Sequence, residues 1–153
     1  MKTGDKVENF RLKNTEDNDV SLDELTSGSK ALLLFFPFAF SSVCSEEMCT
    51  VRDNMKLYNS LDVNIAGISV DSFFTLKAFK KNNNLNFTLL SDFNKEVSNQ
   101  FGVLYDDYFG LKGVSKRAAF ILNEERIIEY LEILEDSGSQ PDFKSIYKFL
   151  SSG

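Results

Sequence analysis

The sequence predicts an α/β fold, a central mixed β-sheet flanked by helices, and three observations carry that prediction. Within residues 30–36, everything after Lys30 is an unbroken apolar run, the pattern of a strand buried on both faces at the centre of a covered sheet. Strand-like and helix-like segments then alternate to about residue 101, which calls for parallel pairing through right-handed crossovers. Residues 117–134 read as a strand hairpin and 141–150 as a closing helix, so antiparallel pairing joins the parallel part.

Taken in order, residues 1–20 are polar and weakly patterned, with Phe10 and Leu12 alternating like a short edge strand. Ser21-Leu22-Asp23-Glu24 has the spacing of a capping box, which predicts a single helical turn ending at Ser27-Gly28-Ser29. The strand at 30–36 must stop at Pro37, which has no N–H for a ladder. Val43, Met48, Val51, Met55 and Tyr58 recur at three to five residues with charge between them, predicting one amphipathic helix over 43–58. Residues 62–69 are the next strand. Asp71-Ser72 can cap a helix through Phe73, Leu76 and Phe79 that frays at Asn82-Asn83-Asn84. A short strand at 87–90 and a helix at 92–101, stopped by Gly102, precede an irregular connection over 103–116. The hairpin pairs 117–122 with 126–134 through Asn123-Glu124-Glu125, and Pro141 falls in the first turn of the last helix. No repeat, low-complexity tract or linker divides the chain, so residues 1–153 are expected to form a single domain.

Composition removes whole classes of function. A net charge of -6, from 23 acidic and 17 basic residues, disfavours a nucleic-acid or anionic-membrane partner, either of which wants a basic face. The longest apolar run, 31–40, is far too short for a bilayer span and contains Pro37. The chain opens in polar sequence without the apolar core of an export signal, so a cytoplasmic location is expected. There is no histidine, which excludes His-based general base catalysis and the usual Cys/His zinc sites, and two cysteines are too few for a metal held by sulfur alone. Neither a metal nor an organic cofactor is therefore expected. Two cysteines in a cytoplasmic chain point to chemistry or inert burial rather than to a disulfide scaffold.

The chemistry is concentrated at Pro37-Phe38-Ala39-Phe40-Ser41-Ser42-Val43-Cys44, between the central strand and the helix that follows it. A cysteine in the first turn of a helix sits where free N–H groups and the positive end of the helix dipole favour an anion. For a thiol the anion is the reactive form, and an unperturbed thiol is only a few per cent ionised at neutral pH. The residues themselves leave open a reactive Cys44 or a buried, inert one.

The spacing Pro37-x-x-x-Ser41-x-x-Cys44 resembles the signature of the peroxiredoxins, and Lys116-Arg117-Ala118-Ala119-Phe120-Ile121-Leu122 matches that family's Arg before an apolar strand. Cys44-Ser45-Glu46-Glu47-Met48-Cys49-Thr50-Val51-Arg52-Asp53 is similar to the subgroup of the bacterioferritin comigratory protein, the Q-type peroxiredoxins, and to related one-cysteine enzymes. One departure is Glu8, at a place where the family usually carries Pro. The order of elements is that of a thioredoxin-like fold with an N-terminal extension.

The resemblance implies a thiol-dependent peroxidase that reduces hydrogen peroxide and organic hydroperoxides and is recycled by thioredoxin or a similar dithiol protein. Cys44 would attack the O–O bond and Arg117 would stabilise thiolate and peroxide. Ser41 would hydrogen-bond both, and Pro37 would shield the sulfur. Glu47 is implied in a supporting network with an arginine, and Arg52 is expected to help Arg117 outweigh Glu46 and Glu47, both placed in the first helical turn. Cys49 would be the intramolecular resolving cysteine, although inert packing of Cys49 and resolution by an external thiol is the rival. A non-enzymatic redox-sensing or client-binding module is a second rival. Residues five apart in an α-helix lie roughly 8 to 9 Å apart and point about 140° away from each other, beyond disulfide reach, so a Cys44–Cys49 bond requires local unwinding. Phe73, Phe74 and Phe79, and separately Phe38 and Phe40, are the expected apolar contacts of a homodimer.

Overall fold

The computed structural model describes residues 1–152. The described chain forms strands β1 (Arg11–Asn14), β2 (Asp19–Ser21), β3 (Lys30–Phe35), β4 (Val63–Ser69), β5 (Thr88–Ser91), β6 (Arg117–Leu122) and β7 (Ile128–Leu134). Its helices are α1 (Leu22–Thr26), α2 (Ser42–Asp53), α3 (Met55–Ser60), α4 (Phe73–Asn82), α5 (Glu96–Gln100) and α6 (Phe143–Ser152). The strands make one mixed sheet in the order β2-β1-β5-β4-β3-β6-β7, the α/β architecture the sequence predicts.

β3 is central because it is apolar on both faces. It pairs in parallel with β4, from Lys30↔Val63 to Phe35↔Ile68, and antiparallel with β6, from Ala31↔Leu122 to Phe35↔Ala118. Its side chains alternate between two cores. Leu32 and Leu34 join Cys44, Met48, Val51, Leu76, Phe79 and Ile146, so α2, α4 and α6 cover that face. Ala31, Leu33 and Phe35 join Leu22, Val97, Phe101 and Phe120 under α1 and α5 on the other. Four of the fifteen phenylalanines meet here: Phe101 lies 5.1 Å from Phe35, 4.9 Å from Phe120 and 6.3 Å from Phe10 between ring centroids.

Several elements differ from the sequence reading, each for a local reason. The strand near Leu12 is not the edge. β1 pairs on one side with β5 and on the other with β2, a three-residue strand too short to leave a periodic signal. Their turn is built by Asn14, whose Oδ1 accepts the N–H groups of Glu16 and Asn18. The helix expected over 43–58 is two helices. Asn54 takes φ -112° and ψ 10°, and its Nδ2 donates to the Thr50 carbonyl. The apolar period survives the break because both segments pack on the same core.

The helix expected over 92–101 is helical only in Glu96–Gln100. The Asp92 carboxylate accepts the N–H groups of Val97 and Ser98, and Lys95 adopts φ 65°, so 92–95 is a turn that caps from a distance. Gly102, at φ 68°, does close that helix, with its N–H on Asn99 O and that of Val103 on Ser98 O. Pro141 stands two residues before the start of α6 rather than in its first turn; Asp142 caps by accepting the Ser145 N–H at 3.0 Å. The capping box at Ser21 and Glu24 forms as read.

The Phe101 cluster lies on the sheet face opposite Cys44. Phe101→Ala is expected to lower the unfolding free energy of the reduced protein by about 3–5 kcal/mol, measured by urea denaturation.

Candidate active site

The route into the site is short. Phe36 makes the last sheet bond of the central strand, donating its N–H to Ile68 O at 3.0 Å. The chain then turns through buried Pro37 and half-buried Phe38 into α2. Phe40 takes a left-handed φ of 72°, a costly conformation for a bulky side chain. Ser41 is the N-cap residue, and its carbonyl accepts the Ser45 N–H at 2.9 Å. Its hydroxyl neither caps α2 nor contacts sulfur; it donates to the Phe38 carbonyl at 3.0 Å and braces the loop.

α2 opens Ser42, Val43, Cys44, so Cys44 is in the first turn and fully buried. The sequence places Glu46 and Glu47 in that turn; the helix already starts at Ser42, so both fall in its second turn and the first holds no carboxylate. Glu46 points outward, while Glu47 is fully buried on the same side as Cys44, three residues on.

Arg117, first residue of β6, joins them. Its Nη2 donates to Cys44 Sγ at 3.3 Å and to the Ser137 carbonyl at 2.9 Å, and its Nη1 donates to Glu47 Oε1 at 2.5 Å. The guanidinium is 1% exposed. Burial acts to lower its pKa, yet Glu47 and Cys44 beside it raise it above the ordinary arginine value. For Glu47 the balance goes the other way: burial pushes its carboxyl up to about 7, with Arg117 pulling it back down. Glu47 Oε2 and Arg117 Nε have no hydrogen-bond partner.

Cys44, Glu47 and Arg117 are thus brought together, with Ser41 and Pro37 on the adjoining loop. Arg52 is not. It lies eight residues beyond Cys44, about 12 Å along the helix axis. It donates instead to the Asn83 carbonyl at 2.7 Å and to Asp53 Oδ1 at 2.9 Å. Cys49 belongs to that second neighbourhood: half-buried, it sits 3.6 Å from Asn83 Oδ1. Both cysteines are free thiols, and α2 is continuous between them.

Three groups at the site were not read from the sequence. The Ser137 carbonyl reaches Arg117 from the loop after β7, and Gln140 Nε2 in the same loop donates to Val43 O at 3.0 Å. A backbone acceptor and a lone loop Gln leave no sequence signal. The third is Asp71, which accepts the Ala39 N–H at 2.7 Å; read as a helix cap, it leaves capping to Ser72, which accepts from Thr75 N–H. Phe79 is withdrawn from the expected contact face, since it is buried in the core against Phe36 and Phe40. Phe73 and Phe74 stack at 4.1 Å with Phe74 71% exposed, and Phe40 is 51% exposed.

Because the Glu47 carboxyl titrates higher folded than unfolded, the native state holds its proton between pH 4.5 and about 7, where the unfolded chain releases it. Stability therefore falls as pH rises through that window. Glu47→Gln removes this component, so urea denaturation should show the variant gaining up to roughly 3 kcal/mol on the parent between those two pH values.

Comparison with known proteins points the same way as the geometry. The family model described as AhpC/TSA matches residues 3–131. A bcp peroxiredoxin of Buchnera aphidicola subsp. Schizaphis graminum is 36% identical over 84% of this chain and 82% of its own. Peroxiredoxin Bcp of Escherichia coli K12 is 33% identical over 86% and 85%. The crystal structure of peroxidoxin BcpB from Mycobacterium tuberculosis superposes with a TM-score of 0.90 at 28% identity, covering 99% of this chain and 97% of that one. With a thiol in the first turn of its helix, an arginine on its sulfur and these relatives over most of its length, this chain belongs to the AhpC/TSA family as a peroxiredoxin of the Bcp and Q kind.

Proposed function

We propose that Cys44 is the peroxidatic cysteine with which this thiol-dependent peroxidase reduces hydrogen peroxide and small organic hydroperoxides. The observation that supports the reading is the 3.3 Å hydrogen bond from a buried arginine to the Cys44 sulfur at the head of α2. A cation there faces the attacking sulfur and the negative charge that spreads onto oxygen as the peroxide bond breaks.

The thiolate attacks the terminal oxygen of ROOH. The S–O bond forms as O–O breaks, leaving Cys44 as a sulfenic acid, and the departing alkoxide takes a proton to become ROH. Arg117 binds developing charge, Glu47 orients its guanidinium, Ser41 lines up the peroxide, and Pro37 keeps water from the sulfur. Arg52 supports the helix from the Cys49 side rather than the sulfur of Cys44.

Resolution falls to Cys49. Its sulfur attacks that of Cys44, the disulfide forms, and the sulfenic oxygen leaves as water. Because α2 holds the two cysteines apart, the first turns of the helix unwind for this step, breaking the Cys49–Asn83 and Val43–Gln140 bonds. Thioredoxin or a similar dithiol then returns both thiols. The engagement of Cys49 with Asn83 gives weight to a second reading, in which an external thiol resolves Cys44. Among the described residues no helix is long and apolar enough to cross a membrane, and we place the enzyme in the cytoplasm. A homodimer through Phe40, Phe73 and Phe74 fits the exposure of Phe40 and Phe74.

Under stoichiometric hydrogen peroxide, Cys44 in the reduced protein should oxidise at least about 10³ times faster than free cysteine, followed by competition kinetics, and Cys44→Ser should abolish consumption. A rate no better than that of a free thiol refutes the peroxidase assignment and favours a sensing module. Mass spectrometry after the same treatment should find loss of two hydrogens from a Cys44–Cys49 bond, and Cys49→Ser should stall as the sulfenic acid and lose thioredoxin-driven turnover. Unchanged turnover of Cys49→Ser would assign resolution to an outside thiol.

A further inference from the structure

The loop that delivers Cys44 is anchored from outside by the exit of a neighbouring strand. Asp71 lies two residues past the end of β4. Its Oδ2 accepts the Ala39 N–H at 2.7 Å and the Ser69 hydroxyl at 2.7 Å. The Asp71 N–H returns to Ser69 Oγ at 3.2 Å, and Ser91, the last residue of β5, donates its hydroxyl to the Asp71 carbonyl at 2.5 Å. Ser69 is fully buried. The ends of two parallel strands therefore form a fixed socket, and the loop's backbone plugs into it at Ala39.

Ala39 lies between Pro37 and Ser41 and directly precedes Phe40, the residue held at φ 72°. A bulky residue stays in left-handed backbone only where its surroundings over-determine it. Here the Ala39–Asp71 bond fixes one side and the Ser41–Phe38 bond the other. α2 follows Ser41 without a spacer, while Arg117 is carried by a different strand. A shift of the loop thus moves Ser41 and Cys44 together relative to the guanidinium.

We infer that Asp71 is a positioning residue for peroxide reduction: through the Ala39 N–H it fixes loop 37–41 so that Ser41 and Cys44 meet the hydroperoxide in line with Arg117. The inference rests on Cys44 being the attacking sulfur. Hydrogen bonds to a carboxylate are the strong kind, and this one is partly buried; burial raises the Asp71 pKa, and the Ala39 and Ser69 donors act against that rise. Misplacement of reacting groups by about 1 Å costs on the order of 10²-fold in rate, so loss of the anchor is read in kinetics before it is read in folding.

The test compares Asp71→Ala and Asp71→Asn in a Cys49→Ser background, where Cys44 is the one remaining thiol. Two second-order rates are measured, oxidation by hydrogen peroxide and alkylation by iodoacetamide, which needs a thiolate but no aligned peroxide. Asp71→Ala is expected to slow oxidation at least about tenfold while alkylation stays within about threefold; Asp71→Asn, which keeps an acceptor for Ala39, restores oxidation to within about threefold of the parent. Asp71→Ser, too short to reach Ala39, should repeat the selective loss if the alanine variant does not fold. Oxidation at the parent rate in Asp71→Ala or Asp71→Ser overturns the inference, as does an equal fall of oxidation and alkylation. A parent that oxidises no faster than free cysteine overturns the peroxidatic assignment itself, a result distinct from either.

Discussion

One guanidinium holds a sulfur and a carboxylate on the same face of one helix, and the rest of the site is arranged to keep it there. Arg117 is buried with Glu47, and a buried charge persists only when it is paired and hydrogen-bonded. Such a pair adds little net stability, because desolvation offsets most of the attraction. What it contributes is a cation aimed at Cys44 in a site without bulk water, where a fixed charge acts more strongly than on the surface. The planar fork matters as much as the charge, since one nitrogen serves sulfur while the other serves carboxylate.

The sheet explains how residues 73 positions apart in sequence meet. β6 runs antiparallel to β3, and the pair Phe35↔Ala118 leaves Arg117 beside the point where the chain departs for α2. The helix then presents Cys44 and Glu47 one turn apart on its inner face. On the other side the loop from β7 brings Ser137 and Gln140 against Arg117 and Val43. Three chain segments, the exit of β3, the start of β6 and the loop after β7, therefore converge on the first two turns of α2, the segment that must unwind for Cys49 to reach Cys44.

The parts legible in the sequence are those with strong local signals. Apolar residues 31–36, the Ser21–Glu24 box, Pro37 and the hairpin around Asn123 each mark their element, and Pro37, Ser41 and Cys44, with Arg117 before an apolar strand, carry the resemblance to the peroxiredoxins. What periodicity hid was any break that leaves the apolar stripe intact, as at Asn54, and any strand as short as β2. Side-chain direction was hidden too. Two arginines look alike in the sequence, but Arg117 faces the sulfur while Arg52 turns to Asn83. Ser41 and Asp71 sit where a helix cap is expected, and each side chain bonds elsewhere: Ser41 to the Phe38 carbonyl three residues back, Asp71 to the Ala39 N–H of the neighbouring loop.

The central claim is that the fork of Arg117, and not merely its charge, activates Cys44. The most direct measurement is the second-order rate of Cys44 oxidation by hydrogen peroxide in Arg117→Lys, which keeps a cation but cannot hold sulfur and Glu47 at once. A fall of about 10²-fold or more is expected, with the fold intact by circular dichroism. A rate within about threefold of the parent would contradict the account.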